Sequence, residues 1–494
     1  MRCQIACLAL LSCAPALAQT APTVIDDASI KAAEALRDDA LVRNEAWILL
    51  ESLTTEVGPR LAGTDGDVRA VAWAQQAMKS MGYDRVWTEP VTYPVWKRGA
   101  ESAEIVRPFP QRLVLTALGG SVGTGRRPIE AEVVEFSTLQ ALRDARAEDV
   151  RGRIVFIGNR MAREKDGGGY GPAVEARTQG SFVAAEKGAR AILIRSIGTD
   201  NDRLPHTGVA VSRTELLALP DAAQRFKRKT KSGIPIIATP IPAAALSNPD
   251  ADLLSRMLER SLPVVIRLAL DVGFDGEHTG ANVIGEITGS ERPDEVVLIG
   301  GHLDSWDLGT GAIDDGAGVA ISIAAGNVIG RLDTPPRRTI RVVAFANEEQ
   351  GLYGAKAYHA AHKAEIARHV LAFESDFGAG RIWRLDSAVK PAARGAIDQM
   401  MQVLAPLNVA RGLPYAFGGP DVGPMVAAGV AALSLQQDGT RYFDLHHTAN
   451  DTLDKIDVEA LNQNVAVYAV AAYLAAQADG DFGSAPKAAA PATH

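Results

Sequence analysis

The second half of the chain carries four short apolar runs, EVVLIGGHLDS, RTIRVVAFANEEQ, HVLAFESDFG and VAALSLQQ, with helical stretches between them. Continuous apolar strands have to be covered on both faces, so this alternation predicts an α/β fold, a largely parallel mixed sheet between two layers of helices. Sheets of that kind place ligands beyond the carboxyl ends of their strands. Here those ends are polar. The first run stops at His302-Leu303-Asp304, the second at Asn347-Glu348-Glu349 and the third at Glu374-Ser375-Asp376. Asp314-Asp315 opens the helix after the first run, and His446-His447 precedes the last helix. Histidines and carboxylates therefore gather along one edge of the sheet.

Zinc takes imidazole nitrogen or carboxylate oxygen, prefers about four ligands, and leaves one position open to water where it is catalytic. Two histidines and three carboxylates, one of them shared, can offer two ions three protein ligands each. Together with a bridging hydroxide that arrangement is electrically neutral, whereas the same carboxylates buried without metal would be forced far up in pKa. Read from residues alone, His446 and His447 are alternatives and Glu374 is a further candidate. A Glu-Glu pair by itself is more often a solvated helix start, and a His-x-Asp triplet an ordinary hydrogen bond. Their order and their common place at strand ends set them apart.

The rest of the chain frames this region. Residues 26 to 82 have apolar positions at three- and four-residue intervals, predicting helices, with a break at Gly58-Pro59-Arg60-Leu61-Ala62-Gly63-Thr64. From Tyr83 the texture turns to β-branched runs. RIVFI and AILIR read as strands, with a helix over SFVAAEKG between them. Residues 102–265 therefore read as a strand-rich insertion with one or two helices, dividing an N-terminal part at 19–101 from the main domain at 266–480; 481–494 reads as a flexible tail. Val458 to Ala478 is a closing helix. His206 and His278 fall in expected loops and His359, His362 and His369 on helix surfaces or loops, and none is given a role. Gly167-Gly168-Gly169 lacks the Lys-Ser/Thr ending of a phosphate loop and reads as a turn.

With 494 residues the chain holds about three domains' worth of sequence. A net charge of −8 argues against a nucleic-acid or anionic-membrane partner. The first residues, MRCQIACLALLSCAPALAQT, have the layout of a secretory signal peptide cut after Ala18, with lipidation at Cys13 as the rival reading. All 3 cysteines fall inside it, so an exported chain starting at Gln19 would carry no disulfide. No later stretch approaches the roughly 20 apolar residues of a membrane span.

Five motifs in order, GGHLDSWDLGTGAIDDGAGVA, AFANEEQGLYGA, FESDFGAG, GGPDVGPMVAAGVAALSL and HHTANDTLDKI, make the chain resemble the co-catalytic zinc exopeptidases, the family of bacterial leucyl aminopeptidases and glutamate carboxypeptidases. The fourth motif and LVLTALGGSVGT are most similar to its plasma glutamate carboxypeptidase branch. The resemblance implies a zinc aminopeptidase-like fold with an inserted, β-rich protease-associated domain, two Zn²⁺, and hydrolysis of small peptides or dipeptides. It implies His302, Asp314, Glu349, Asp376 and His447 as metal ligands, with Asp314 as the bridge, and Glu348 as general base. Asp304 would accept a hydrogen bond from His302, and Asp314-Asp315 would be joined by a cis peptide. His447 fits the family pattern through Thr448, Asp451 and Thr452; many members have Asn where Glu374 stands. A homodimer is implied as well. Two other activities share the fold: receptor-like relatives that have lost the ligands, and single-zinc acyl transfer of the glutaminyl-cyclase kind.

Overall fold

The computed structural model describes residues 21–211, 228–260 and 262–483. The leader read at 1–18, with Cys3, Cys7 and Cys13, and most of the expected tail lie outside the described residues. Helices Asp27–Val42 and Asp65–Ser80 form over the amphipathic stretches, each begun by a side-chain cap: Asp26 accepts from the Ser29 N–H and Thr64 from the Asp67 N–H. The helix Glu45–Ser52 lies between them and runs into a π-turn, Leu53–Val57, which Gly58 ends at a φ of 74°.

The strands in chain order are β1 Arg85–Arg107, β2 Gln111–Leu113, β3 Leu115–Ala117, β4 Ile129–Phe136, β5 Ile154–Ile157, β6 Ala191–Arg195 and β7 Ala243–Leu246, followed by β8 Val265–Ile287, β9 Arg292–His302, β10 Arg338–Phe345, β11 His369–Glu374, β12 Ile382–Ala388, β13 Ala410–Arg411 and β14 Ala432–Gln437. The four apolar runs are β9, β10, β11 and β14, and they lie side by side in the order β14-β11-β9-β10, all parallel. β8 closes one side antiparallel to β10, and β12 the other antiparallel to β14. The helices Ala317–Gly330 and Val458–Gln477 are buried almost throughout and pack with the sheet in the largest apolar core. The segment Ala312–Gly330 is long and apolar enough to cross a membrane by length and composition, but its apolar stretch is buried inside the protein.

β1 and β8 are each 23 residues long and pair antiparallel from Arg85 opposite Glu286 to Arg107 opposite Val265. The chain leaves the main sheet along one and returns along the other. β8 pairs with β10 at its carboxyl half and with β4 at its amino half, so one sheet path continues through β4-β5-β6-β7. β4 to β7 are parallel, and helices Leu139–Asp144, Tyr170–Glu186 and Asn248–Leu258 accompany them. This region carries more helix than the strand-rich pattern suggested, because short apolar runs separated by alanine-rich stretches fold as α/β units. His278, expected in a loop, sits in β8.

Candidate metal centre

Each residue of the site stands at the carboxyl end of a strand of the parallel sheet or at the start of the segment that follows it. His302 is the last residue of β9; Glu348 and Glu349 follow β10 and Asp376 follows β11. Asp314 lies in the turn Ala312–Gly316 ahead of the helix Ala317–Gly330, and the Asp314–Asp315 peptide bond is cis. His446 and His447 follow the short helix Tyr442–Leu445, with His447 in the left-handed region at a φ of 62°.

These pieces converge on Asp314. Its Oδ1 is 3.1 Å from His302 Nε2, and its Oδ2 is 3.1 Å from His447 Nε2. Asp376 Oδ1 stands 3.4 Å from His302 Nε2, and Glu349 Oε2 stands 3.0 Å from His447 Nε2. The structure thus brings together all five of the ligands expected from the sequence, as two groups that share Asp314. His446 is also close, its Nε2 3.6 Å from Asp314 Oδ2 and its ring stacked on that of His447 at 3.5 Å. Glu374 points elsewhere: its Oε2 accepts the Asp421 N–H at 2.7 Å.

The tautomers follow from the neighbours. His302 Nδ1 lies 3.0 Å from the carbonyl oxygen of Asp304, and His447 Nδ1 lies 3.3 Å from that of Thr207. A carbonyl only accepts, so both Nδ1 atoms carry hydrogen, which would leave each Nε2 to offer its lone pair to a cation bound beside Asp314. The shortest His302 Nδ1 contact is to the main-chain carbonyl of Asp304, with the Asp304 carboxylate next to it. Asp304 Oδ1 is 3.7 Å from Nδ1 and accepts the Glu348 N–H at 2.9 Å. Asp304 therefore fixes the backbone of Glu348.

The charge balance shows what the cluster suits. Burial drives Glu348 and Asp315 well above the usual carboxylate range and raises Asp376 too, with the surrounding acids adding to it. Burial also pushes Glu349 up to about 7, against the pull of His447. Burial works to lower His302, but its contacts with Asp304, Asp314 and Asp376 outweigh it and hold the ring well above the ordinary histidine range. Asp314 Oδ2 and Glu349 Oε1 are buried with no hydrogen-bond partner. Buried, unpaired carboxylate oxygens beside imidazole nitrogens are the donor set of a divalent cation such as zinc.

Other residues also support this centre, and of these the sequence singles out only Asp451, in the pattern around His447. Trp306 donates from Nε1 to Glu349 Oε2 at 2.5 Å. Asp451 accepts from the N–H groups of Ile313 and Asp314 at 2.6 and 3.3 Å. The fully buried Arg60 donates to the carbonyls of Leu303, Thr310 and Gly311. Trp306 and Asp451 lie inside the motifs quoted above, where a polar residue beside a ligand was the available signal. Arg60 gave none, since its partners lie some 250 residues away. Beside the centre opens a cavity of about 400 Å³, lined by Glu348, Asp376, Phe443 and His446 from the main sheet and by Tyr170 and Arg177 from the helix Tyr170–Glu186.

Comparison with known proteins agrees with this geometry. Residues 282–472 match the model of peptidase family M28. Human carboxypeptidase Q is 35% identical over 434 residues, covering 88% of this chain and 86% of its own. The crystal structure of a peptidase M28 precursor from Shewanella amazonensis SB2B superposes with a TM-score of 0.86 at 50% identity, covering 93% of this chain and 99% of that one. A zinc aminopeptidase from Bacillus subtilis shares the fold at a TM-score of 0.61 and 19% identity, covering 86% of this chain and 93% of its own. Matched along most of its length by carboxypeptidase Q, and superposing on a peptidase M28 precursor over nearly all of that chain, the protein belongs to peptidase family M28 and is an exopeptidase of that family.

Proposed function

We propose that the chain is a zinc-dependent exopeptidase that hydrolyses small peptides or dipeptides with two Zn²⁺. The carrying observation is Asp314, whose two oxygens face two separate groups of ligands. His302 and Asp376 would hold one ion, and His447 and Glu349 the other. When bound, the ions supply Lewis acidity, lowering the pKa of water and offsetting negative charge on the carbonyl oxygen. Glu348, oriented through its N–H by Asp304, takes the proton of the attacking water and passes it to the leaving amine.

Arg177 supports the anchoring of a free carboxylate. It is buried, has no carboxylate partner among the described residues, and leaves Nε without an acceptor. Its Nη2 donates to the Tyr170 hydroxyl at 2.6 Å. A guanidinium so placed in the cavity suits the bidentate geometry of a substrate carboxylate. The cavity volume suits a ligand of dipeptide size. The leader-like residues 1–18 support export, and exposed Leu413, Tyr415 and Phe417 in one loop support a homodimer.

The test combines metal analysis with a dipeptide panel in which each end is blocked in turn. Two zinc ions per chain, and turnover that survives N-acetylation but falls on C-amidation, are expected. Arg177→Ala should raise KM for free-carboxylate substrates about 10- to 100-fold, as for a charged hydrogen bond worth about 1.5–3 kcal/mol, and leave amidated ones unchanged. Metal-free folded protein would favour the receptor-like reading, and a single zinc the acyl-transfer one.

A further inference from the structure

The ligand loop His446-His447 does not support itself. Its outer face rests on residues 206–208, which precede it by about 240 positions and belong to the region between β1 and β8. Three contacts join the two segments. The carbonyl oxygen of His446 is 2.9 Å from His206 Nδ1. The Thr207 N–H donates to the carbonyl of His447 at 3.0 Å, and the carbonyl of Thr207 accepts from His447 Nδ1 at 3.3 Å. His447 thus has its main chain and its ring held from the same side.

The hold matters because His447 occupies a left-handed backbone conformation, at a φ of 62°. A residue with a Cβ keeps that conformation only where its surroundings impose it. Fixing the carbonyl before it and the carbonyl after it defines both peptide planes that flank its Cα. His206 is itself fixed. Its Nε2 lies 2.5 Å from Asp200 Oδ2, its N–H donates to Ser196 Oγ at 2.8 Å, and the ring is 1% exposed. Two glycines leave room for the arrangement. A Cβ on Gly198 would come within 2.2 Å of the His206 ring, and one on Gly208 within 2.8 Å of His447 Nδ1.

We infer that His206, anchored by Asp200, is a positioning residue for the metal ligand His447: it fixes the carbonyl of His446 and thereby the conformation that aims His447 Nε2 at Asp314. This rests on the zinc reading of the centre above. His206 touches neither the ligand nitrogens nor the cavity, and it acts only through the backbone.

The experiment measures zinc affinity by competition with a chromophoric chelator, on the full chain, for His206→Phe and His206→Gln. The Phe variant keeps a ring but offers no donor, whereas Gln still offers one. For Phe, affinity at one of the two sites should fall about 10- to 100-fold, as when the hydrogen-bond partner of a ligating histidine is lost, with kcat falling and KM little changed. Gln should recover most of both. The melting temperature of the metal-free protein should stay near wild type. Wild-type affinity in the Phe variant, with or without a lower melting temperature, would overturn the inference. Should that variant not fold, Asp200→Asn carries the same expectation at a smaller size, and unchanged affinity there overturns it equally. A wild-type chain that binds no zinc would instead sink the underlying reading.

Discussion

At the residue scale the centre depends on which carboxylates face cations and which handle protons. Among the described residues no histidine nitrogen pairs with Glu348; its neighbours orient its backbone and burial raises its pKa. Glu348→Gln should therefore keep both metals and lower kcat by about 10²- to 10⁴-fold, the usual worth of a general base, as metal analysis and initial rates on a dipeptide would read. A near-normal rate would reassign the proton transfer. Three of the five proposed ligands, His302, Glu349 and Asp376, close or follow an apolar run, so one strand pattern pointed to them. No such pattern marked their partners. Arg177 and His206 lie between β1 and β8, and what makes them matter is a contact with residues that local periodicity cannot bring near. Asp304 faces two donors at once, its carbonyl oxygen 3.0 Å from His302 Nδ1 and its Oδ1 accepting the Glu348 N–H at 2.9 Å, a convergence that no local pattern announces.

At the element scale, strands buried on both faces were readable and strands facing solvent were not. β9, β10 and β11 are continuous apolar runs, whereas the middle of β8, DVGFDGEHTG, is polar and glycine-rich. That stretch needs no apolar pattern, because β1 supplies its hydrogen bonds and water covers much of its surface. β11 begins with a buried histidine that permits a pH test. His369 Nε2 lies 2.8 Å from the Tyr358 hydroxyl, which itself accepts from Arg341 at 2.8 Å. Burial, with Arg341 adding to it, lowers His369 to about 4. A folded-state pKa below the unfolded value of about 6.5 means that the unfolded chain binds the extra proton, so stability is lost as pH falls from about 6.5 toward 4. The loss is on the order of 3 kcal/mol. Urea unfolding of the wild type and His369→Gln at pH 7 and pH 5 should show a smaller acid loss in the variant; equal losses would remove His369 as the cause.

At the scale of the whole molecule, the proposed ions offset a buried excess of negative charge, so their removal should be felt throughout the fold. Chelation should abolish turnover and lower the unfolding midpoint by several degrees, since a ligand present at 1,000 times its Kd stabilises by about 4 kcal/mol. Calorimetry with and without chelator reads this, and an unchanged midpoint would argue against a resident metal. The ribbon of β1 and β8 has a wider consequence. Its two strands pair from Arg85 to Arg107 with three register shifts, and join the main sheet through β10 to the strands β4 to β7. The backing of the proposed ligand His447 is made early in translation and His447 itself late, so on that reading a nascent chain would have no closed metal site until nearly all of it had emerged. Cation uptake would then report on completed synthesis, and fragments released by premature termination would carry no hydrolytic hazard to the cell that made them.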